Sequence, residues 1–143
     1  MKYELTDHTK LVAGHTLYQI RATEDFGWIK KGQLGGWIEN RNNLQIDGIP
    51  ETDPDFNNGN AWIYENACVF GKSVVYGNAR VYGDAVVIDT EISGNARVYG
   101  AAHITDSFIE GHAIVCGKSD IHDSWIARRI SLKDKILSGA NLI

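Results

Sequence analysis

The sequence has few of the residues that build chemically stabilised or membrane-embedded folds. Its 143 residues include two cysteines, two prolines and one methionine. Two cysteines exclude a disulfide-dense secreted scaffold, and free thiols in a reducing compartment are expected. No stretch approaches the ~18 consecutive apolar residues of a membrane span, and the first ten residues lack the apolar run of a signal peptide. The sequence therefore predicts a cytoplasmic protein without a membrane segment.

An excess of positive charge is also missing. Lys and Arg number 14 against 18 Asp and Glu, which gives a formal net charge of −4. Proteins that bind nucleic acids usually carry a basic footprint, so no nucleic-acid partner is expected. Hydrophobic residues make up 43% and charged residues 22% of the chain, as in ordinary globular domains.

Glycine, by contrast, is abundant and recurs regularly within a repeat. Residues 72–139 align with themselves every 17 residues, four times over. The aligned columns are Ser73, Thr90, Ser107 and Ser124; Val75, Ile92, Ile109 and Ile126; Val81, Val98, Val115 and Leu132; and Val87, Ile104 and Ile121. A repeat this short cannot bury its own apolar face, so the copies must stack into one continuous core.

Each repeat contains a finer period of six, six and five residues. The phrase is small–x–aliphatic–x–Gly/Asp–x, as in residues 79–84 (ARVYGD). Alternation puts the small and aliphatic side chains on one face, and Gly, Asn or Asp then supplies a bend. Three short strands and three bends complete one coil. The sequence therefore predicts an all-β, single-stranded parallel β-helix of about five coils with 17–18 residues each.

The register extends upstream to two further segments. Residues 60–70 match residues 78–88 at an offset of 18, which makes Gly71 an extra residue at one corner. Residues 35–40 (GGWIEN) resemble the phrase around Trp125, so we expect them to form the first rung, with Leu44 and Ile46 on the next wall.

Two segments do not follow the repeat and define the domain boundaries. Residues 47–59 contain both prolines and four acidic residues, which predicts a looped-out insertion. Residues 1–34 alternate like antiparallel strands around a turn, and a solenoid needs its open end covered. We therefore expect an N-terminal β cap at 1–34 and a β-helix at 35–143.

The repeated phrases resemble a known superfamily. NARVYGDA and NARVYGAA, at residues 78–85 and 95–102, resemble the hexapeptide-repeat, or isoleucine-patch, left-handed β-helices. The run GHTLYQIRATEDFGWIKKGQLGGWIENRNNL, followed by NAWIYENACVFG, resembles a narrower group, the YdcK-like proteins of phages, prophages and enterobacteria. That group is usually labelled as acyltransferases. The resemblance implies a left-handed coil, a phage or prophage origin, and acyl transfer from acyl-CoA between subunits of a trimer.

An acyltransferase of this type needs a general-base histidine within reach of the substrate hydroxyl or amine. His103 is the candidate, because it is expected to point outward from the third wall, one rung from His122. The glycine of each phrase comes one place later than in hexapeptide enzymes, and the loop and C-terminal extension that complete a CoA site in them are missing. A zinc site would need three converging histidines. We therefore expect no metal and no cofactor, with acyl-CoA as the cofactor only if the acyltransferase alternative holds.

The outward columns carry the candidate binding residues. On the second wall these are Tyr64, Tyr82 and Tyr99, with Trp62, Arg80 and Arg97 beside them. Tyr, Trp and Arg are enriched at interface hot spots, although a tyrosine column can also simply stabilise itself. On the third wall Phe70, Val86 and Ile88 form, with Cys68, an apolar patch that the cap or another subunit must cover.

The leading hypothesis is a non-catalytic, phage- or prophage-type interaction protein. It forms a homo-oligomer, a dimer or a trimer, and binds a protein partner through its outward walls, with a host or defence component as the partner class that the resemblance suggests. One alternative is acyl-CoA-dependent acyl transfer by His103. Another is a structural scaffold or phage-particle component.

Overall fold

The chain folds into stacked parallel coils. The computed structural model describes residues 2–45 and 59–143. It is all-β and forms a β-solenoid of about five turns, which confirms the predicted fold class. The predicted insertion at 47–59 lies outside the described residues except for Gly59, and so does Ile46. Within the described residues no helix is long and apolar enough to cross a membrane.

The coils build three flat sheets, here called wall 1, wall 2 and wall 3. The cap consists of β1 (Tyr3–Val12) and β2 (His15–Ala22), and one 3₁₀ turn, η1, spans Arg41–Asn43. Wall 1 contains β4 (Leu44–Gln45), β7 (Val74–Tyr76), β10 (Glu91–Ile92), β13 (Phe108–Ile109), β16 (Trp125–Ile126) and β19 (Asn141–Leu142). Wall 2 contains β5 (Trp62–Ile63), β8 (Arg80–Val81), β11 (Arg97–Val98), β14 (Ile114–Cys116) and β17 (Ser131–Lys133). Wall 3 contains β3 (Leu34–Ile38), β6 (Cys68–Phe70), β9 (Val86–Ile88), β12 (His103–Thr105), β15 (Asp120–His122) and β18 (Ile136–Ser138).

The strand register follows the aligned columns of the sequence. On wall 1, Ile92 pairs with Val75 on one side and with Ile109 on the other, and all three side chains are fully buried. The last coil is one residue shorter than the repeat. A strict period of 17 would place Ser138 beside Ile121, but Leu137 takes that position and keeps the column apolar.

The coil length changes by one residue at two corners, and an aspartate lies at each of them. The corner at Gly71 and Lys72 has one residue more than the corner at Asp89 in the next coil, as the offset of 18 predicts. Asp89 adopts a left-handed φ of 50°, and its carboxylate accepts a hydrogen bond from the Lys72 N–H at 2.8 Å. Asp134 does the same for the Lys118 N–H at 2.7 Å, at the corner that the last coil shortens. The aspartates therefore satisfy backbone donors that the unequal corners leave without a ladder partner.

β3 forms the first rung on wall 3, and Leu44 follows on the next wall, as predicted. β3 runs parallel to β6, and Trp37 pairs with Cys68 on wall 3, whereas the similar phrase around Trp125 lies on wall 1. Close packing explains this position. A Cβ on Gly36 would lie 2.5 Å from Ile63 Cγ2 and 2.7 Å from the Ala67 carbonyl oxygen, so only glycine allows β3 to approach the next coil. The sequence phrase alone does not carry this constraint.

The N-terminal segment closes the open end of the solenoid. β2 is antiparallel to both β1 and β3, so the cap continues the sheet of wall 3. Tyr3, Ile20, Phe26 and Ile29 are buried in the same core cluster as the interior columns. The N-terminal segment therefore covers the strand edge and the core residues that the first coil would otherwise expose.

The cap also covers the apolar patch of wall 3. Leu17 packs against Cys68 and Phe70 in a second cluster, and the His15 ring lies 4.9 Å from the Phe70 ring. Glu39 joins cap and coil, because it bonds His15 Nδ1 at 2.7 Å and accepts the Gly71 N–H at 3.0 Å. The hydrogen bond from His15 lowers the pKa of the Glu39 carboxyl. Both apolar contacts and hydrogen bonds therefore hold the cap on wall 3.

A buried ladder of hydroxyl groups joins wall 3 to wall 1 in each coil, formed by the column Ser73, Thr90, Ser107 and Ser124. Each hydroxyl oxygen accepts the backbone N–H one coil further along: Ser107 Oγ accepts from Ser124 N at 3.0 Å, and Thr90 Oγ1 from Ser107 N at 3.2 Å. Ser107 also donates to the Thr105 carbonyl at 2.8 Å. These residues are therefore small and polar because each one satisfies a buried backbone donor.

Replacing Ser107 with alanine should lower the free energy of unfolding by about 1–3 kcal/mol, because the buried Ser124 N–H loses its acceptor. Urea unfolding followed by circular dichroism measures this loss. Ser131→Ala, at an exposed position of β17, is the matched control and should change stability by less than about 0.5 kcal/mol. Equal effects of the two substitutions would contradict the role assigned to the ladder.

Candidate binding surface on wall 2

The outer face of wall 2 carries the tyrosine column predicted from the sequence. The rings of Tyr82 and Tyr99 stack at 4.6 Å with an interplanar angle of 5°, and Tyr64 meets Tyr82 edge-on at 6.1 Å. Burial raises the pKa of Tyr64, and a hydrogen bond with Cys116 raises the pKa of Tyr99. The column therefore stabilises itself, and it remains partly accessible because all three tyrosines are only half-buried.

Two arginines lie beside the tyrosines in register with each other. Arg80 of β8 pairs with Arg97 of β11, so their backbones are about 4.8 Å apart. Like charges directly opposite each other destabilise a sheet. Neither guanidinium has a carboxylate partner among the described residues. This pair is an unneutralised positive centre on a chain whose net charge is negative.

The arginine pair forms one side of a groove at the corner between wall 1 and wall 2. The groove has a volume of about 150 Å³ and is lined by Gly27, Trp28, Asn60, Asn78, Arg80, Asn95 and Arg97. Three of these residues are the asparagines that precede the small residue of successive coils. A neighbouring depression between Tyr64, Glu65, Arg80 and Tyr82 shares Arg80, so the groove and the tyrosine column form one continuous surface.

Trp28 reaches this groove from the cap. Phe26 and Ile29 exchange two backbone hydrogen bonds, of 3.0 and 2.8 Å, around a two-residue turn. Both are buried in the core, whereas Trp28 at the tip of the turn is 81% exposed. Gly27 supplies the left-handed φ of 51° that the turn needs. The turn is therefore anchored at its base and presents a large aromatic side chain to solvent.

Sequence reasoning did not identify Trp28 or the asparagine column as part of a site. The asparagines are the first residue of each Asn-Ala phrase, and their regular recurrence at that position predicts only a bend. Trp28 belongs to the cap, and its position beside Arg80 depends on how the cap packs. No local pattern encodes that packing.

Two of the predicted interface residues are not on a free surface. Trp62 points out of wall 2 as expected, but it is fully buried because the cap rings of Tyr3 and Phe26 pack on it at 6.3 and 5.5 Å. Phe70 is 1% exposed beneath Leu17 and His15. Val86 and Ile88 remain half-buried beside Phe70. The candidates that keep an accessible surface are therefore Tyr64, Tyr82, Tyr99, Arg80 and Arg97 on wall 2, and Val86 and Ile88 on wall 3.

His103, the candidate general base, lies on the outer face of wall 3. It is exposed on β12 and pairs with Val86 and Asp120 of the neighbouring coils. Its ring has no hydrogen-bond partner among the described residues. A catalytic histidine is usually held by a third group, and in the described part of the chain none holds His103. The predicted neighbour His122 lies beside Thr105, one rung away and two residues along, as expected.

One cluster of potential metal ligands occurs among the described residues. It consists of Asp106, His122 and Asp123, all exposed. Both ring nitrogens of His122 already have partners, since Nδ1 lies 2.6 Å from Thr105 Oγ1 and Nε2 lies 3.2 Å from Asp123 Oδ2. His103 is not part of the cluster.

A comparison with protein families identifies the repeat. The family described as YdcK Beta solenoid repeat matches residues 75–89 and 92–111, which cover β8, β9 and β11 to β13. The chain is a β-solenoid repeat protein. The match describes the repeat, and it names no activity or partner. Within this β-solenoid the matched segments carry Arg80, Tyr82, Arg97 and Tyr99. No curated protein matches the chain.

Proposed function

We propose that this β-solenoid is a non-catalytic binding protein that engages a protein partner through the outer face of wall 2. The observation that supports the proposal is the continuous surface formed by the unneutralised pair Arg80 and Arg97, the stacked Tyr82 and Tyr99, and the exposed Trp28. Arg, Tyr and Trp are the residues that contribute most binding energy at protein interfaces. A rigid parallel sheet presents them without a large cost in conformational entropy.

The surface also suits a partner better than a substrate. The groove is open and holds about 150 Å³, whereas pockets for small molecules usually exceed about 300 Å³ and enclose their ligand. His103 lies on wall 3, away from the groove, and His112 lies one coil beyond Asn95 at the same corner without lining the groove. Binding, rather than acyl transfer, is therefore the function proposed here, and a homo-oligomeric state, dimer or trimer, is proposed with it.

Affinity capture from the native cell with paired variants tests this proposal. Tyr82→Ala/Tyr99→Ala removes the stacked pair on wall 2, and Phe108→Ala/Trp125→Ala removes the exposed pair on wall 1, whose rings lie 6.0 Å apart. We expect a partner that the wild type and the wall 1 variant retain and that the wall 2 variant loses by about tenfold or more, since each 1.4 kcal/mol lost is a factor of ten.

Two outcomes would overturn the proposal. One is a set of captured proteins that does not differ between the two variants. The other is a thermal shift with acetyl-CoA that disappears in His103→Ala, which would replace binding by acyl transfer.

A further inference from the structure

We infer that the wall 2 groove binds an acidic, extended segment of a protein partner, with carboxylate side chains paired to Arg80 and Arg97. This inference rests on the proposed function, because it names the chemistry of the partner at that surface. Three independent features of the groove support it: its charge, its free amides and its exposed tryptophan.

Charge identifies the first requirement of the ligand. The backbones of Arg80 and Arg97 are about 4.8 Å apart, so their like charges repel each other, and neither forms an ion pair with a carboxylate of the described residues. A planar guanidinium binds a carboxylate through two parallel N–H···O bonds. Two bound carboxylates would therefore remove the repulsion and add directional contacts. Alternate side chains of an extended peptide lie about 6.8 Å apart on one face, which two flexible arginines can reach.

The asparagine column supplies groups for the backbone of such a segment. Asn60, Asn78 and Asn95 line the groove on successive coils, at intervals of about 4.8 Å. Their side-chain amides make no hydrogen bond with other described residues. A primary amide both donates and accepts, so a column of amides can pair with the N–H and C=O groups of an extended chain.

The exposed side chain of Trp28 identifies the third requirement of the ligand. Trp28 is 81% exposed and lines the groove, and the burial of Phe26 and Ile29 holds the turn that carries it. Because the turn is already ordered, contact with Trp28 costs little further entropy. The segment that fits the groove therefore has an apolar side chain next to its acidic ones.

The surroundings of the groove favour a peptide over a nucleic acid. Exposed Glu65 lines the depression that also contains Arg80 and Tyr82, and exposed Asp84 accepts a hydrogen bond from Asn66 at the other end of the same strands. They would repel a continuous line of phosphates, whereas a short acidic segment can end before it meets them. Nucleic-acid affinity is also built from several phosphate contacts, and this surface has two arginines.

Fluorescence polarisation with the purified chain and a labelled peptide tests the inference. The probe is a short synthetic peptide with a Leu-Glu-Ser-Glu core, and its control has Gln in place of both Glu residues. We expect the acidic peptide to bind, the Gln peptide to bind at least about tenfold more weakly, and added salt to weaken the binding. Binding should also change the tryptophan fluorescence of the wild type and leave that of Trp28→Phe unchanged.

Paired arginine variants locate the site. Arg80→Gln/Arg97→Gln should weaken binding at least about tenfold, whereas Arg128→Gln/Arg129→Gln removes the same charge from the last coil and should change it less than about twofold. All four arginines are exposed or half-exposed, and matching thermal unfolding curves would confirm that both variants are folded.

Each contrary result overturns the inference in a different way. Equal binding of the Glu and Gln peptides removes the role of charge, and equal losses in the two arginine variants remove the site. Tighter binding of a single-stranded oligonucleotide would assign the groove to nucleic acid. If the peptide does not bind while capture by the Tyr82 and Tyr99 surface persists, this inference fails and the proposed function stands.

Discussion

Truncation of Trp62 to alanine should lower the free energy of unfolding by about 3–5 kcal/mol, the range for a large aromatic side chain removed from a core. Trp62 is fully buried at the junction of two units, since its ring contacts Tyr3 and Phe26 of the cap and packs above the first complete coil. The deletion therefore removes packing from the solenoid and loosens the cap at the same time. Urea unfolding measures the loss of stability, and hydrogen exchange of the β1 and β2 amides measures the loosening.

Trp28→Ala is the matched control, because it deletes the same side chain two residues from Phe26 at a position that is 81% exposed. It should change stability by less than about 0.5 kcal/mol. Trp62→Phe adds a second comparison. The Trp62 Nε1–H is buried without a hydrogen-bond partner among the described residues, so phenylalanine keeps a ring and removes an unsatisfied donor. We expect it to cost less than about 1.5 kcal/mol. A loss for Trp62→Ala no larger than that for Trp28→Ala would contradict the assigned packing of the cap.

The second large effect is expected at the centre of the solenoid. Ile109→Ala should lower the free energy of unfolding by about 2–5 kcal/mol, because the interior has no mobile element that could fill the cavity. Ile109 is fully buried and stands between Ile92 and Ile126 in the wall 1 column. Chemical denaturation of the variant and the wild type measures the difference.

The adjacent residue provides the control for Ile109. Phe108 lies on the outer face of the same strand, is 48% exposed, and touches Trp125 at a ring distance of 6.0 Å. Phe108→Ala removes a larger side chain than Ile109→Ala does, yet we expect it to cost less than about 1 kcal/mol, the size of an exposed cross-strand pair. A greater loss at Phe108 than at Ile109 would mean that the inside and outside of the wall have been assigned the wrong way round.

The outward columns show how far a repeat can predict a site. The spacing of Arg80 and Arg97, and of Tyr82 and Tyr99, follows directly from the 17-residue period, and the structure places each pair on neighbouring strands of wall 2. The upstream offset of 18 placed Trp62 in that outward column, and its strand position agrees. Its burial does not follow from spacing, because the ring is covered by residues about 36 and 59 positions earlier in the chain, far beyond the reach of a repeat pattern.

The wall on which the first rung lies also depends on contacts outside the repeat. The phrase at residues 35–40 looks like the one at Trp125, and an x-Trp-Ile sequence suits the outer and inner positions of any wall. The choice of wall 3 depends on the contact of Gly35 and Gly36 with β5. A Cβ at Gly35 would lie 2.6 Å from the Ile63 carbonyl oxygen. Glycine in a strand indicates some close approach, but it does not identify the neighbour.

The sequence by itself determined the coil, because a six-residue phrase with small and aliphatic residues at fixed positions leaves one way to bury them all. It determined which side chains face inward from Asn60 to Leu132, and even the extra residue at the Gly71 corner, but not that the last coil is one residue shorter. Only the tertiary structure decided what remains accessible on the outside. The cap residues have no repeat to fix their register, so their packing on Trp62 and Phe70, and the position of Trp28 beside Arg80 and Arg97, depend on contacts between distant parts of the chain.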